Sequence, residues 1–316
     1  MLRYLVTGGA GFIGSHVVEA LLKKGKQVRV LDNFSTGKRE HLSGVSRHIE
    51  LLEGDVRDPA ACRQAVKHVD AVIHLAALHE VPRSVEDPME THEVNVTGTL
   101  NILLAARDAE AGKLVLSSSS AVYGDSPVMP RSESTPVAPT SSPYAVTKLA
   151  GEYYCQLFSH LYKLETVVLR YFNVYGPRQD ASSAYAAVIP KFVAALEAGV
   201  SPTIYGDGEQ SRDFLHISDC VAATLAACDT PGLLGSVFNI GTGRRTTVNE
   251  LCATLQRILG TALPPSYEPP RPGDVPHDVA AIDLARHVLL YEPRVDLYHG
   301  LQDVLGRGSL PLGHPA

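Results

Sequence analysis

Short, unbroken apolar runs alternate with amphipathic stretches over the first 170 residues of the chain. Residues 2–6 (LRYLV) predict a buried strand, followed after a glycine-rich turn by a helix to about Lys24. Further strands are predicted at residues 27–31, ending in Asp32, at Ile49–Glu53, at Ala71–His74 and at residues 114–117, with helical intervals between them. Strands apolar at every position are buried on both faces, and their alternation with helices implies a parallel sheet with helices on both sides. In such sheets ligands bind beyond the carboxyl ends of the strands. Asp55, Ala76 and Ser119 each follow a strand there and are expected to converge. His74 reads as a strand-end residue and His79 as a loop residue beyond it. Residues 144–162 predict a long helix with two apolar stripes, one of Leu149, Tyr153, Leu157 and Leu161, the other of Val146, Ala150, Tyr154 and Phe158. A helix apolar on both sides is buried on both sides; one stripe is expected on the sheet and the other on a second copy of the chain, giving a homodimer.

Beyond residue 172 the pattern loosens, with frequent Pro and Gly and shorter elements. The expected organisation is a dinucleotide-binding unit over residues 1–172, with returns to its sheet near 214–242. A smaller α/β substrate lobe follows over 173–305, and a Gly/Pro-rich disordered tail over 306–316.

Composition narrows the function. The chain has 316 residues, 45% hydrophobic and 20% charged, enough for a substantial core. A net charge of −6 argues against nucleic acid or an anionic membrane as the main partner. No apolar run approaches the ~20 residues that span a bilayer, and Arg3 with the glycine run leaves no signal-peptide layout. Five cysteines without a CxxC pair are expected to be reduced, buried thiols of a cytoplasmic protein. The 13 histidines show no metal-ligand spacing, so no metal is expected.

Two motifs carry chemistry. In residues 7–14 (TGGAGFIG), glycines 9, 11 and 14 fit GxGxxG and glycines 8, 11 and 14 fit GxxGxxG. Either lets the backbone turn tightly and approach a pyrophosphate lying on the N–H groups of the following helix. A strand before, a helix after and an acidic strand end 18 residues beyond Gly14 make this a Rossmann-type fingerprint. The Asp32 carboxylate would accept hydrogen bonds from a ribose and repel a 2′-phosphate, favouring NAD over NADP. The second motif is residues 144–148 (YAVTK). Tyr144 and Lys148, four apart at a helix start, share one helical face. A phenol titrates near ~10, and a neighbouring ammonium is expected to pull it down towards working range. The serine run at 117–120 supplies a hydroxyl able to relay a proton.

Assembled, these residues resemble the extended short-chain dehydrogenase/reductases, and among them the nucleotide-sugar 4-epimerases, over about residues 2–305. The resemblance is carried by residues 7–16 (TGGAGFIGSH), 54–58 (GDVRD), 74–77 (HLAA), 117–124 (SSSSAVYG), 144–148, 170–179 (RYFNVYGPRQ), 212–213 (RD), 239–243 (NIGTG) and 271–274 (RPGD). It implies Ser119, Tyr144 and Lys148 as the catalytic set: Tyr144 takes the proton of the sugar 4-hydroxyl through Ser119 while NAD receives the hydride. For the cofactor it implies Gly8, Gly11, Phe12, Ile13, Gly14, Asp32, Asn33, Ser35 and Gly37 at the adenosine end. Asp55, Val56, Leu75, Ala76, Ala77 and Asn95 follow, and then Ser117, Tyr144, Lys148 and Tyr171.

For a UDP-sugar it implies Val81, Arg83, Ser119, Ser120, Ala121, Tyr144, Asn173, Ala187, Val188, Tyr205, Arg212, Arg271 and Asp274, with Ser84 touching the hexose or phosphates. Related 4,6-dehydratases carry Asp-Glu where this chain has Ser120 and Ala121, and related decarboxylases keep a Glu at the second place. Their absence leaves oxidation at C4 and its reversal, which is epimerisation. UDP-glucose/UDP-galactose or the N-acetyl forms are the implied substrates. UDP-glucuronate stays open, with Arg83 or Arg178 available for its carboxylate. Asp278 falls where some glucose-only epimerases have a bulky tyrosine, so a smaller side chain leaves room for an N-acetyl group.

Overall fold

The structure, a computed structural model, describes residues 2–138, 142–180, 188–270 and 275–307. Its centre is a sheet built from β1 (Arg3–Thr7), β2 (Gln27–Asp32), β3 (Ile49–Glu53), β4 (Ala71–His74), β5 (Lys113–Ser119), β6 (Glu165–Tyr171) and a late strand, Ser236–Ile240. The strand order is β3-β2-β1-β4-β5-β6 with the late strand outside β6, and every pair is parallel. The order reverses between β1 and β4, which opens a crevice at their carboxyl ends. β1 begins one residue later than the sequence suggests, and β5 runs on through Ser119, so three of the four serines are strand and Ser120 opens a 3-10 turn.

Successive residues of the strands serve opposite layers. Tyr4 and Val6 pack with α1 (Phe12–Lys23), while Leu5 packs with α2 (Pro59–Val66) and its neighbours. That second layer also holds the short helices α3 (Val81–Glu86) and α4 (Pro88–His92), a π-turn at Glu93–Thr97, α5 (Gly98–Asp108) and α6 (Pro143–Tyr162). α6 starts where it does because the Ser142 side chain accepts from the Ala145 N–H and Pro143 occupies the first turn, where no N–H is needed.

Its buried face is Tyr144, Thr147, Lys148, Gly151, Glu152, Cys155, Phe158 and Ser159. The two expected stripes are therefore redistributed: Val146, Tyr153, Leu157 and Leu161 are exposed and Phe158 is buried. The buried face is more polar than an apolar-stripe reading allows, because Glu152 is paired inside. Arg170 of β6 grips it through Nε at 2.9 Å and a terminal nitrogen at 2.6 Å, and Ser118 donates to it at 2.5 Å.

Beyond β6 the chain continues through shorter elements. They are β7 (Val174–Tyr175), α7 (Val188–Glu197), β8 (Thr203–Tyr205), β9 (Ser211–Arg212), β10 (Leu215–His216) and α8 (Ile217–Asp229). β11 (Ser236–Ile240) is the late sheet strand, followed by β12 (Thr246–Thr247), α9 (Val248–Leu259), β13 (Ser266–Glu268), β14 (His277–Asp278), α10 (Asp283–Leu289) and α11 (Leu297–Val304). α8 packs back on α1 and the sheet, while β10 pairs with β7 outside it. A separate buried cluster gathers around Ile189, Phe192, Ile204, Phe214, Leu251 and Leu255. Most of the expected tail lies outside the described residues.

Candidate active site

The glycine turn after β1 is shaped by backbone contact. Gly8 has φ +68°, and a Cβ there would stand 2.8 Å from the Ala76 nitrogen; a Cβ on Gly14 would stand 2.1 Å from the Gly8 oxygen. Glycines 8, 11 and 14 are thus the working set, while Gly9 instead makes room for Val30. Gly11 is the N-cap of α1, no side chain caps that turn, and no acidic residue lies in it. Such a helix end attracts an anion. Asp32, at the end of β2, accepts from the N–H groups of Ala10 and Phe34, each at 2.8 Å. The Asn33 side chain donates to Asp55 at 2.8 Å and accepts from the Ser35 N–H. A Cβ on Gly37 would meet Ala10 and Asp32 at 3.0 Å. Arg57 holds the Asp55 carboxyl down to about 2, chiefly through its side-chain hydrogen bond.

The β4 end is tied to the same turn. Thr99 donates to the Asn95 carbonyl, so it accepts from His74 Nε2, and His74 Nδ1 accepts from Thr7. Thr7 in turn accepts the N–H groups of Leu75 and Ala76, each at 3.2 Å. Burial, with the Lys148 charge adding, lowers His74 to about 3 and keeps it neutral. His74 is a structural strand-end residue, and His79 is exposed in the loop beyond.

Tyr144, Lys148 and Ser119 meet beside this edge. Lys148 Nζ donates to the Ser117 carbonyl at 2.9 Å and lies 5.8 Å from the Tyr144 ring centroid. Ser119 hydrogen-bonds Tyr144 and also accepts the Ala121 N–H at 3.2 Å. The neighbouring ammonium does not bring the expected lowering of the phenol. Burial pushes Tyr144 up to about 12, opposed only by Ser119, and lowers Lys148 to about 8, opposed by Glu152. Desolvation outweighs a cation that stands beside the ring and spends a proton on a carbonyl.

Across the crevice, a cavity of about 310 Å³ is lined by Asn173, Val188, Tyr205 and Arg212 among others, with Lys191 adding a second cation. No lining residue among those described is acidic. This suits an anionic nucleotide.

Several expected residues take other roles. The Tyr171 hydroxyl bonds Thr224 of α8 at 2.8 Å, so its side chain belongs to the core, and only its backbone is left for a cofactor. Asn95 pins Leu78 through both backbone groups and reaches Thr147, which fixes the loop after β4 to α6. Ser84 accepts the Tyr144 N–H and donates to Val81, anchoring the start of α6 rather than facing a sugar. Arg83 pairs with Glu90 at 2.8 Å, and Arg178 with Glu19 at 2.5 Å. Val56 is buried beneath Gly98, and Val81 is exposed on α3. Ala187, Arg271 and Asp274 lie outside the described residues.

One residue was underread from sequence. Ser120 is not carboxylate-free ground, because its hydroxyl donates to Asp278 of β14 at 2.7 Å, 158 positions away. No local spacing could have signalled that contact.

A profile of the NAD dependent epimerase/dehydratase family matches residues 4–241. A UDP-glucose 4-epimerase of Mycolicibacterium smegmatis is 40% identical over 95% of this chain and 96% of its own length. Among solved structures, a UDP-N-acetylglucosamine 4-epimerase from Methanobrevibacter ruminantium M1, in complex with UDP-N-acetylmuramic acid, superposes with TM-score 0.92 at 39% identity, covering 97% of each chain. The Thermotoga maritima UDP-glucose 4-epimerase with UDP-glucose also gives 0.92, at 38% identity, covering 97% of this chain and 98% of that one. With its glycine turn, its Tyr/Lys helix and its parallel sheet in place, the chain belongs to the NAD dependent epimerase/dehydratase family.

Proposed function

We propose that the protein is an NAD-dependent isomerase that inverts C4 of a UDP-hexose, interconverting UDP-glucose with UDP-galactose and the corresponding N-acetyl sugars. The carrying observation is the meeting of Ser119, Tyr144 and Lys148 at the end of β5, beside the β4 end that Thr7 ties to the glycine turn. The glycine cradle and the uncapped α1 fit a dinucleotide pyrophosphate, and Asp32 suits an unphosphorylated ribose. When bound in that cradle, NAD would supply the reversible hydride acceptance that inversion at C4 needs. Tyr144 takes the proton of the 4-hydroxyl and returns it, with Ser119 bridging. Lys148, held on Ser117 beside the Tyr144 ring, contributes the positive charge that the ionised phenol needs. Burial raises Tyr144, so its ionisation depends on cationic charge inside the site. Arg212 and Lys191 face the diphosphate, and Tyr205 the base.

Elimination of water needs both an acid and a base at the sugar. Asp278, engaged by Ser120, supplies at most one such group, and Ala121 none. Arg83 pairs with Glu90, whereas Arg178 pairs with Glu19 through one terminal nitrogen and keeps the other without a hydrogen-bond partner, so UDP-glucuronate is the alternative substrate.

The protein is further proposed to be a homodimer of the cytoplasm. The exposed row Val146, Tyr153, Leu157 and Leu161 on α6 supports the first. Five free cysteines, four of them buried, support the second.

The test is incubation of purified protein with UDP-glucose, UDP-N-acetylglucosamine or UDP-glucuronate without added cofactor, read by proton NMR at C4. Appearance of a 4-epimer with no net NAD reduction is expected. Net NADH formation would assign a dehydrogenase instead.

A further inference from the structure

One wall of the 310 Å³ cavity is made of two short stretches joined by a single turn. Thr203, Ile204 and Tyr205 of β8 line it, and so do Gln210 and Arg212 beyond residues 206–209. Asn249, in the first turn of α9, does not line the cavity but holds that turn from behind. Its side-chain nitrogen donates to the Asp207 carbonyl at 3.0 Å and to a Glu209 carboxylate oxygen at 2.8 Å. Its side-chain oxygen accepts from the Tyr267 hydroxyl of β13 at 3.1 Å. The helix end grips the same turn. The Val248 N–H donates to the Gln210 carbonyl and the Asn249 N–H to the Gly208 carbonyl, each at 3.1 Å. The first N–H groups of a helix have no partner within it, so they are available to hold another segment. Gly208 completes the fit, with φ +80° and a position where a Cβ would overlap the Asn249 side-chain oxygen.

The turn couples both stretches. The Gln210 side chain donates to the Tyr205 carbonyl at 2.6 Å, and the Gly206 N–H to the Glu268 carbonyl of β13 at 2.8 Å. Tyr205 and Gln210 are thus tied to each other, and Arg212 follows two residues later on β9. We propose that Asn249 is a positioning residue for the nucleotide: it acts through the 206–209 turn to fix where Tyr205, Gln210 and Arg212 stand. This rests on the UDP-hexose reading given above. Ordering side chains as a ligand binds reduces affinity, and a turn set in advance removes that penalty. The chemistry belongs to other elements, since Ser119 ends β5 and Tyr144 and Lys148 start α6. Loss of Asn249 should therefore weaken binding of the sugar nucleotide and leave turnover of the bound molecule intact. The amide is needed as an amide. A carboxylate of the same shape could still accept from Tyr267 but could not donate, and it would meet the Asp207 carbonyl and the Glu209 carboxylate with oxygen against oxygen.

The test measures KM and kcat with UDP-glucose and UDP-N-acetylglucosamine for wild type, Asn249→Ala, Asn249→Asp and Tyr267→Phe. Calorimetric titration with UDP, melting temperature and content of bound NAD are measured on the same proteins. Asn249→Ala should raise KM and the UDP dissociation constant together by about 10-fold, with kcat and NAD content unchanged. Asn249→Asp should be at least as impaired, although a carboxylate in the first turn of a helix favours the fold. Adding Glu209→Gln, which restores a donor opposite that carboxylate, should recover part of the loss. Tyr267→Phe should give a smaller rise of about 3-fold. An Asn249→Asp protein that binds UDP like wild type overturns the proposal, because filling space would then suffice. A fall in kcat with KM unchanged overturns it too. If the Asn249 variants do not fold, Tyr267→Phe decides. Wild type that binds UDP but forms no 4-epimer, with the variants weakened, would support Asn249 while removing the epimerase reading. Epimer formed by every protein at the same KM would do the reverse, and wild type that binds no UDP would remove both.

Discussion

The two sides of the crevice are made in different ways. The dinucleotide side is almost all backbone: Gly8, Gly11 and Gly14, the open end of α1, and the Leu75–Ala76 amides held by Thr7. The proposed sugar side would be made of side chains that arrive separately, Ser119 from the end of β5, Asn173 after β6 and Arg212 on β9. A backbone site tolerates many side chains around it but almost no added atom within it. A side-chain site can be trimmed piece by piece, and each piece should change affinity or choice of sugar rather than the fold.

The largest effect should come from acid acting on the backbone side. His74 has a folded pKa of about 3, below the unfolded ~6.5. Its contribution is thus complete above pH 6.5 and is lost as pH falls towards 3, amounting to about 5 kcal/mol in all. Urea unfolding from pH 7 to 4 should show this decline, and His74→Asn should flatten it by about one proton; an unchanged slope would remove His74 from the account. Next comes the seam. Tyr144→Phe should lower kcat by about 10³-fold, or ~4 kcal/mol, with bound NAD retained. A loss tenfold or smaller would mean another group moves the proton. Gly14→Ala, whose Cβ would enter the Gly8 carbonyl, should cost about 3 kcal/mol and strip NAD from the purified protein, seen by melting and by absorbance. Full NAD content in that variant would break the contrast between the two sides. The smallest change is expected on the sugar side: Arg212→Met should raise KM by roughly 10- to 100-fold, about 1.5–3 kcal/mol, with melting temperature and NAD content unchanged.

That contrast also governs what could be read from the chain. The turn at residues 7–14, the strands through His74 and the Tyr144–Lys148 spacing were legible because each is a local pattern with one geometric meaning. Which glycines mattered was not, since 8-11-14 and 9-11-14 differ only in what lies opposite, Ala76 or Val30. The face of α6 was misjudged for a related reason. Glu152 reads as a solvent residue until Arg170 and Ser118 are seen to meet it. Tyr171 looked like a site residue by position, yet its ring turns to Thr224. The Asp278–Ser120 contact joins residues 158 apart through a strand of two residues, and no periodicity encodes such a meeting.

The late strand β11 has a consequence for how the chain is made. A ribosome releases β1 to β6 well before residues 236–240 emerge, so for that interval β6 has an open edge. Arg170 on that strand binds Glu152 and the Tyr123 hydroxyl, which donates to Asn239 of β11. Asn239 also binds the Arg131 carbonyl, drawing the 131 segment onto the edge that β11 closes. The nucleotide-binding half is therefore not a module that could be cut at residue 172 and moved elsewhere. It is finished only by a piece of the other half, and a truncated chain would expose β6 as a template for its neighbours.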